Sequence, residues 1–106
     1  MRKLKIPIGT AVYSLEFPEE ILYGGGTAYG ATYYSDKRMK VSSKQQKLQK
    51  LHTLLHEFLH AGLHEYGIIT LDHDEEERIV EALSHALTMT LKNSKAFREL
   101  VLEGCT

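Results

Sequence analysis

The sequence predicts an α+β domain, in which a small sheet precedes the helices. Apolar residues alternate with polar ones from residue 4 to residue 17, which is the period of strands. They then recur at spacings of three and four, first from residue 48 to 63 and again from residue 79 onwards, as in amphipathic helices. We therefore expect one domain over 1–106, with its sheet part in 1–42 and its helical part in 43–106.

The composition excludes several classes of protein. The 106 residues include 13 Lys and Arg against 14 Asp and Glu, so the formal net charge is −1. This balance provides no long-range attraction for phosphate backbones, and we expect no nucleic-acid partner. The chain has no apolar run long enough to span a membrane and no recognisable signal peptide. Because Cys105 is the only cysteine, we expect no disulfide and a cytoplasmic protein.

The first forty residues predict short strands. Leu4, Ile6 and Ile8 alternate before a Gly-Thr turn, and the alternation resumes up to Phe17, which indicates a hairpin. We expect "YGGGTAYG", residues 23–30, to be a loop or bulged connection, because successive glycines lose much backbone entropy inside an element. The following "ATYYSDKRMKVSS" has apolar residues on both sides of a polar turn and predicts one or two further strands.

A long helix is predicted from about 44 to 65. Ser42 or Ser43, followed three residues later by glutamine, resembles a capping box. Gly67 is a suitable residue to end this helix. The apolar positions of the helix are Leu48, Leu51, Leu55, Phe58, Leu59 and Leu63.

A second helix is predicted to begin at Asp72 or Asp74, with an acidic first turn that suits the helix dipole. Asn93 and Ser94 are expected to end it before a short terminal helix. The residues expected to face inward are Ile79, Val80, Leu83, Leu87 and Leu91 on the second helix, and Phe97, Leu100 and Val101 on the third.

Histidine occupies every fourth position of "LHTLLHEFLHAGLHEYG", at 52, 56, 60 and 64. Each step of four residues drifts by about 40° around a helix, so one ion cannot bind all four imidazoles. His56-Glu57 and His60 form H-E-x-x-H, in which two imidazoles share one ion and the carboxylate reaches a water on it. We therefore predict that His56 and His60 bind Zn²⁺ and that Glu57 is the general base. We expect His52 and His64 to lie on the helix surface or to contact the ligand residues without binding the ion.

This pair of histidines is one protein ligand short of a catalytic zinc site. The third histidine of H-E-x-x-H-x-x-G-x-x-H would stand at Tyr66, and His64 would ligate only if the helix bent. A glutamate of the second helix would complete a His₂Glu site. Glu77 and Glu81 are the strongest candidates, because the two share a face that borders the buried stripe. Glu77 is favoured and Glu81 is the alternative. The acidic residues considered are Glu75, Glu76, Glu77 and Glu81, of which Glu75 is interpreted as solvated charge.

The segments "TLLHEFLHAGLHEYGI" and "EERIVEALSHAL" resemble the short zinc metallopeptidases of phages and mobile elements, akin to the ImmA/IrrE-type metallopeptidases. "LKIPIGTAVYSLEF", Gly30 and "DKRMKVS" are similar to the small sheet of that group, whose last strand runs along the zinc cleft. The family's spacing after its glutamate ligand is matched by Glu77, Val80, Leu83 and Ser84. Val80 is bulkier than the alanine often found there, and the link from His60 to Glu77 is short, which keeps Glu81 open as a ligand.

The resemblance implies a minimal zincin-like fold and zinc-dependent hydrolysis of peptide bonds in a protein or peptide substrate. Glu57 would accept a proton from a metal-activated water and return it to the leaving amine. One alternative function is a catalytically inactive zinc-binding domain that acts as a protein-interaction module. A second alternative is a helical interaction domain without a metal, whose histidines lie on its surface.

Overall fold

The computed structural model describes residues 3–68 and 71–106. Within these ranges the chain forms six strands followed by three helices, which confirms the predicted α+β class. The strands are β1 (Lys3–Ile8), β2 (Ala11–Glu16), β3 (Ile21–Tyr23), β4 (Gly26–Ala28), β5 (Gly30–Tyr33) and β6 (Arg38–Val41). The helices are α1 (Lys47–Glu65), α2 (His73–Asn93) and α3 (Lys95–Gly104). Among the described helices, none combines the length and the apolar character that crossing a membrane requires.

The main sheet is mixed and has the strand order β1-β2-β6-β5. β1 and β2 form the predicted antiparallel hairpin, and β5 and β6 correspond to the one or two further strands expected after the glycine-rich segment. β2 and β6 pair in parallel, with the chain between them supplying the crossover. This order leaves β5 as an edge strand of the main sheet, and β5 lies against α1.

The prediction that residues 23–30 form a loop is wrong. β3 and β4 pair as a short antiparallel hairpin, and β5 begins at Gly30. Gly24 and Gly25 lie at its turn with φ values of 59° and 83°. A two-residue hairpin turn of this kind needs positive φ at both central residues, which glycine adopts without a Cβ clash. The glycines that were expected to prevent a strand or helix here therefore form the turn of the β3–β4 hairpin.

The apolar core lies between the main sheet and α1. Tyr13 is fully buried in it, and its hydroxyl donates a 2.6 Å hydrogen bond to the carboxylate of Glu65 near the end of α1. The Lys37 ammonium donates to the same carboxylate at 2.6 Å. Polar contacts therefore join the sheet to the end of α1 beside an apolar interior. The buried residues of this core are Ile8, Tyr13, Leu15, Met39, Val41 and Ala61.

The start of α1 differs from the prediction. The helix begins at Lys47, three residues later than expected, and its N-cap residue Gln46 makes no side-chain capping bond. The predicted capping box does not form, because Ser42 lies before the N-cap residue, where its hydroxyl donates to the carbonyl oxygen of Glu19 and accepts from the Lys44 N–H. Ser42 thus fixes the segment between β6 and α1 to the segment after β2.

The end of α1 is formed by the glycine that the sequence indicated. Gly67 has a φ of 87°, in the left-handed region. The Ile68 N–H donates to the Leu63 carbonyl, and the Gly67 N–H donates to the His64 carbonyl. This pair of bonds is the Schellman arrangement, which satisfies carbonyls left free at a helix end.

Of the two N-cap candidates for α2, Asp72 caps the helix, and its carboxylate accepts a 2.8 Å hydrogen bond from the Glu75 N–H. This backbone hydrogen bond is the main cause that lowers the pKa of Asp72. Ser94 ends α2 and caps α3 by accepting a hydrogen bond from the Phe97 N–H. The predicted break at Asn93 and Ser94 is therefore confirmed.

The inward face of α2 is rotated relative to the prediction. Val80, Ser84 and Thr88 are buried, whereas Leu83 is 48% exposed. Leu100 and Val101 of α3, which were also expected to face inward, are exposed. The small side chains at 84 and 88 let α2 approach α1 closely, and their hydroxyls are satisfied within the helix pair. Of the residues predicted to face inward on α2, Val80 is therefore confirmed as buried, whereas Leu83 lies beside the contact face.

Candidate metal centre

Two histidines of α1 face α2 with their imidazoles close together. The side chains of His56 and His60 are 16% and 9% exposed, respectively. Their Nε2 atoms lie 3.3 Å apart. The spacing of four residues, together with the packing of α2 on α1, thus directs one nitrogen from each ring toward a common point.

Glu77 of α2 lies against this pair of nitrogens. Its Oε1 is 2.7 Å from Nε2 of His60, and its Oε2 is 3.5 Å from Nε2 of His56. The ligand atoms of His56, His60 and Glu77 all lie within 4.8 Å of one another. Tetrahedral zinc with bonds of about 2.0–2.1 Å holds its ligand atoms roughly 3.4 Å apart, so this donor set fits a zinc ion.

The alternative third ligand, Glu81, lies on the other side of His56. Its Oε1 is 2.8 Å from Nε2 of His52, and its Oε2 is 3.8 Å from Nδ1 of His56. One helical turn therefore separates the two glutamates into different surroundings. Glu77 meets the His56–His60 pair, and Glu81 meets His52.

Glu76 contacts the far side of the His60 ring. Its Oε2 is 2.5 Å from Nδ1 of His60, which is the geometry of an Nδ1–H donating to a carboxylate. A carboxylate in this position fixes the ring and leaves Nε2 free to ligate a metal. From sequence, Glu76 was considered only as a ligand candidate, and this supporting role was missed. Its position directly before Glu77 was the available signal. Glu75 is exposed, as expected for solvated charge at the helix start.

The side chain of Glu57 is buried beside these ligands. The Thr32 hydroxyl on β5 donates a 2.6 Å hydrogen bond to its Oε1. Burial raises the pKa of the Glu57 carboxyl, while the hydrogen bond from Thr32 and the nearby His56 and His60 act in the opposite direction. Thr32 was not anticipated from the sequence, because a contact across 25 residues depends on how β5 packs on α1.

Gly30 at the start of β5 is in close contact with α1. A Cβ atom at this position would lie 2.6 Å from Cγ2 of Thr53 and 2.9 Å from Oε2 of Glu57. Both distances are shorter than ordinary van der Waals contact, so a larger residue would push the strand away from the helix. The absence of a side chain at Gly30 therefore sets how closely β5 approaches Glu57.

A cleft of about 660 Å³ lies between β5 and the start of α2. Tyr34 lines it and stacks on His64, with ring centroids 4.4 Å apart and an interplanar angle of 20°. Burial and the nearby carboxylates of Glu76, Glu57 and Glu77 raise the pKa of the Tyr34 phenol, which keeps its proton at neutral pH. His64 is thus part of the cleft wall and lies outside the His56, His60 and Glu77 group. The lining includes Gly30, Thr32, Tyr34, His56, Glu57, His60, His64, Glu76 and Glu77.

His52 and His85 lie beyond the cleft. Their rings meet edge to face with centroids 5.7 Å apart. Nε2 of His52 is also 3.2 Å from the Ser84 hydroxyl, so His52 contacts α2 and is not a free surface residue.

The site thus combines two imidazoles and a carboxylate that suit a metal ion with a buried carboxylate that faces the same open cleft. Comparisons with protein-family models, curated proteins and solved structures found no match for this chain.

Proposed function

We propose that this protein is a zinc-dependent metallopeptidase with a minimal zincin-like fold, in which His56, His60 and Glu77 bind Zn²⁺. The observation that carries the proposal is the convergence of these three ligands beside the buried Glu57 in one open cleft. Structural zinc sites are closed by four protein ligands, whereas catalytic sites use three and leave one position open. When bound, the ion supplies Lewis acidity and lowers the pKa of water toward about 7.

Glu57 acts as the proton carrier of the proposed reaction. It accepts a proton from the attacking water and passes it to the amine that leaves when the peptide bond breaks. Burial of the carboxyl raises its pKa above the ordinary value, which is the direction that favours a group that must hold a proton before releasing it. The hydrogen bond from Thr32 fixes one carboxylate oxygen and so orients the group.

The walls of the cleft support a peptide as the substrate. β5 is an edge strand of the main sheet beside Glu57, and such a strand offers backbone donors and acceptors to an extended chain. Tyr34 lines the same cleft and retains its phenolic proton. Its hydroxyl, which also interacts with the Glu76 carboxylate, is the donor that we assign to the oxygen that becomes negative in the transition state.

Replacement of the base tests the proposal. We expect Glu57→Gln to retain zinc, measured by elemental analysis of the purified protein, and to lower cleavage of unfolded protein or peptide mixtures by about 10²–10⁴-fold. His56→Ala should lose both zinc and cleavage, whereas the exposed Glu75→Gln should lose neither.

Two results would count against the proposal. If Glu57→Gln cleaved as fast as the unchanged protein, Glu57 would not be the base. If the unchanged protein bound zinc but cleaved nothing in the mixture, the alternative of an inactive zinc-binding interaction module would replace the peptidase.

A further inference from the structure

His56 presents its two ring nitrogens to two different acidic groups. Nε2 faces Glu77 at 3.5 Å, and Nδ1 faces Glu81 at 3.8 Å. Glu81 is also bound to His52 at 2.8 Å. Among the described residues, the ligand atoms of His52, His56 and Glu81 lie within 4.8 Å of one another, as do those of His56, His60 and Glu77. We call the first group the outer set and the second the inner set.

We propose that the outer set is a second zinc-binding position that competes with the inner set for one ion. The proposal rests on metal binding at His56 and is independent of peptidase activity. Two imidazoles and a carboxylate are the same donors in both sets, and they suit Zn²⁺ in either place. A cavity of about 160 Å³ adjoins the outer set and is lined by His52, His56, Glu57 and Glu81 among others.

Competition follows from the chemistry of a neutral imidazole. Such a ring has one nitrogen with a free lone pair and one that carries a proton. When Nε2 of His56 binds an ion, Nδ1–H points toward Glu81; when Nδ1 binds an ion, Nε2–H points toward Glu77. Each glutamate is therefore a ligand in one state and faces the ring N–H in the other.

The inner set should bind more tightly than the outer one. His60 is held by Glu76, which orients its ligating nitrogen. His52 of the outer set has the Ser84 hydroxyl 3.2 Å from the nitrogen that would ligate. The Glu81 side chain is 56% exposed against 42% for Glu77, so water competes more strongly for it. We expect the ion to occupy the inner set in the unchanged protein and the outer set when the inner one is disabled.

Equilibrium dialysis against Zn²⁺ tests this inference with variants that disable the inner set. The unchanged protein should bind one ion per chain, and His60→Ala should still bind one ion with an affinity about tenfold or more lower. In the His60→Ala background, Glu77→Gln should keep the ion. In that background, His52→Ala or Glu81→Gln should lose it.

Each result has a defined meaning. Loss of zinc from His60→Ala would overturn the outer set. So would a result in which Glu77→Gln, added to His60→Ala, abolishes zinc binding while Glu81→Gln, added to His60→Ala, does not. Two ions bound to the unchanged protein would overturn competition. No ion bound to the unchanged protein would refute the inner set of the proposed function as well. Circular dichroism checks that each variant folds. If His60→Ala does not fold, Glu77→Gln alone gives the same test, because zinc binding by the Glu77→Gln variant should depend on His52.

Discussion

The two interfaces of α1 differ in their chemistry. Toward the sheet, α1 contacts an apolar interior that contains Tyr13, Met39 and Val41. Toward α2, it presents histidines to glutamates, and the fully buried side chains of α2 are Val80, Ser84 and Thr88. Apolar burial stabilises a fold, whereas gathered ionisable groups lose hydration and need partners or a metal. One face of α1 therefore packs on the apolar core, and the other carries the candidate metal ligands.

The largest effect is expected at Gly30, where the sheet approaches α1. Gly30→Ala should lower the free energy of unfolding by about 3 kcal/mol, because its Cβ would collide with Thr53 and Glu57. Gly26→Ala is the matched control, since a Cβ there meets nothing within 4 Å. Urea denaturation measures both. Equal stability of the two variants would show that the close approach of β5 is not required.

A smaller effect is expected at the α1–α2 interface. Val80→Ala should cost about 2 kcal/mol, because the side chain is fully buried and its loss leaves a cavity. The matched Leu83→Ala removes a larger side chain from an exposed position and should cost less than about 0.5 kcal/mol. Thermal or urea unfolding separates them. A larger cost for Leu83→Ala would mean that the predicted apolar stripe faces inward after all.

The smallest effect is expected at the polar contact between the sheet and the end of α1. Hydrogen bonds from Lys37 and Tyr13 lower the pKa of Glu65, so its carboxylate stabilises the fold above the ordinary pKa of 4.5. This contribution should disappear as the pH falls through the lowered pKa. Glu65→Gln should therefore be less stable than the unchanged protein at neutral pH, with a difference that closes in acid.

The control for Glu65 is Glu99→Gln, which changes an exposed pair with Lys95 on α3. Exposed ion pairs contribute little, so its stability should follow that of the unchanged protein at every pH. A Glu65→Gln variant whose stability deficit did not shrink as the pH was lowered would show that shape and not charge matters at that position.

The predicted inward positions of Leu83 on α2 and of Leu100 and Val101 on α3 are wrong, whereas Val80 is fully buried as predicted. The outcome on α2 has a physical reason. Periodicity analysis assumes that the most apolar stripe of a helix packs against its neighbour. In α2, the face toward α1 carries Glu77, Glu81 and Ser84, because the histidines of α1 have these side chains as partners. The apolar stripe is displaced to the side, and Leu83 is left half exposed.

The amino-acid sequence by itself determined the features that depend on local spacing. A separation of four residues puts His56 and His60 on one stripe of any helix. Because Glu57 is the next residue after His56, its side chain must lie near this stripe. The glycine at Gly67 supplied the left-handed conformation that ends α1. The alternating residues up to Phe17 defined the first hairpin in the same way, since alternation and turn residues are local properties.

Only the tertiary structure decided which distant groups meet. Glu77 and Glu81 are equivalent by helix spacing, and the docking of α2 on α1 gave Glu77 to the His56–His60 pair and Glu81 to His52. The same packing brought Glu76 to His60, and the packing of β5 on α1 brought Thr32 to Glu57. Such contacts depend on how separate elements pack, because spacing along one element orients its side chains but does not choose their partners.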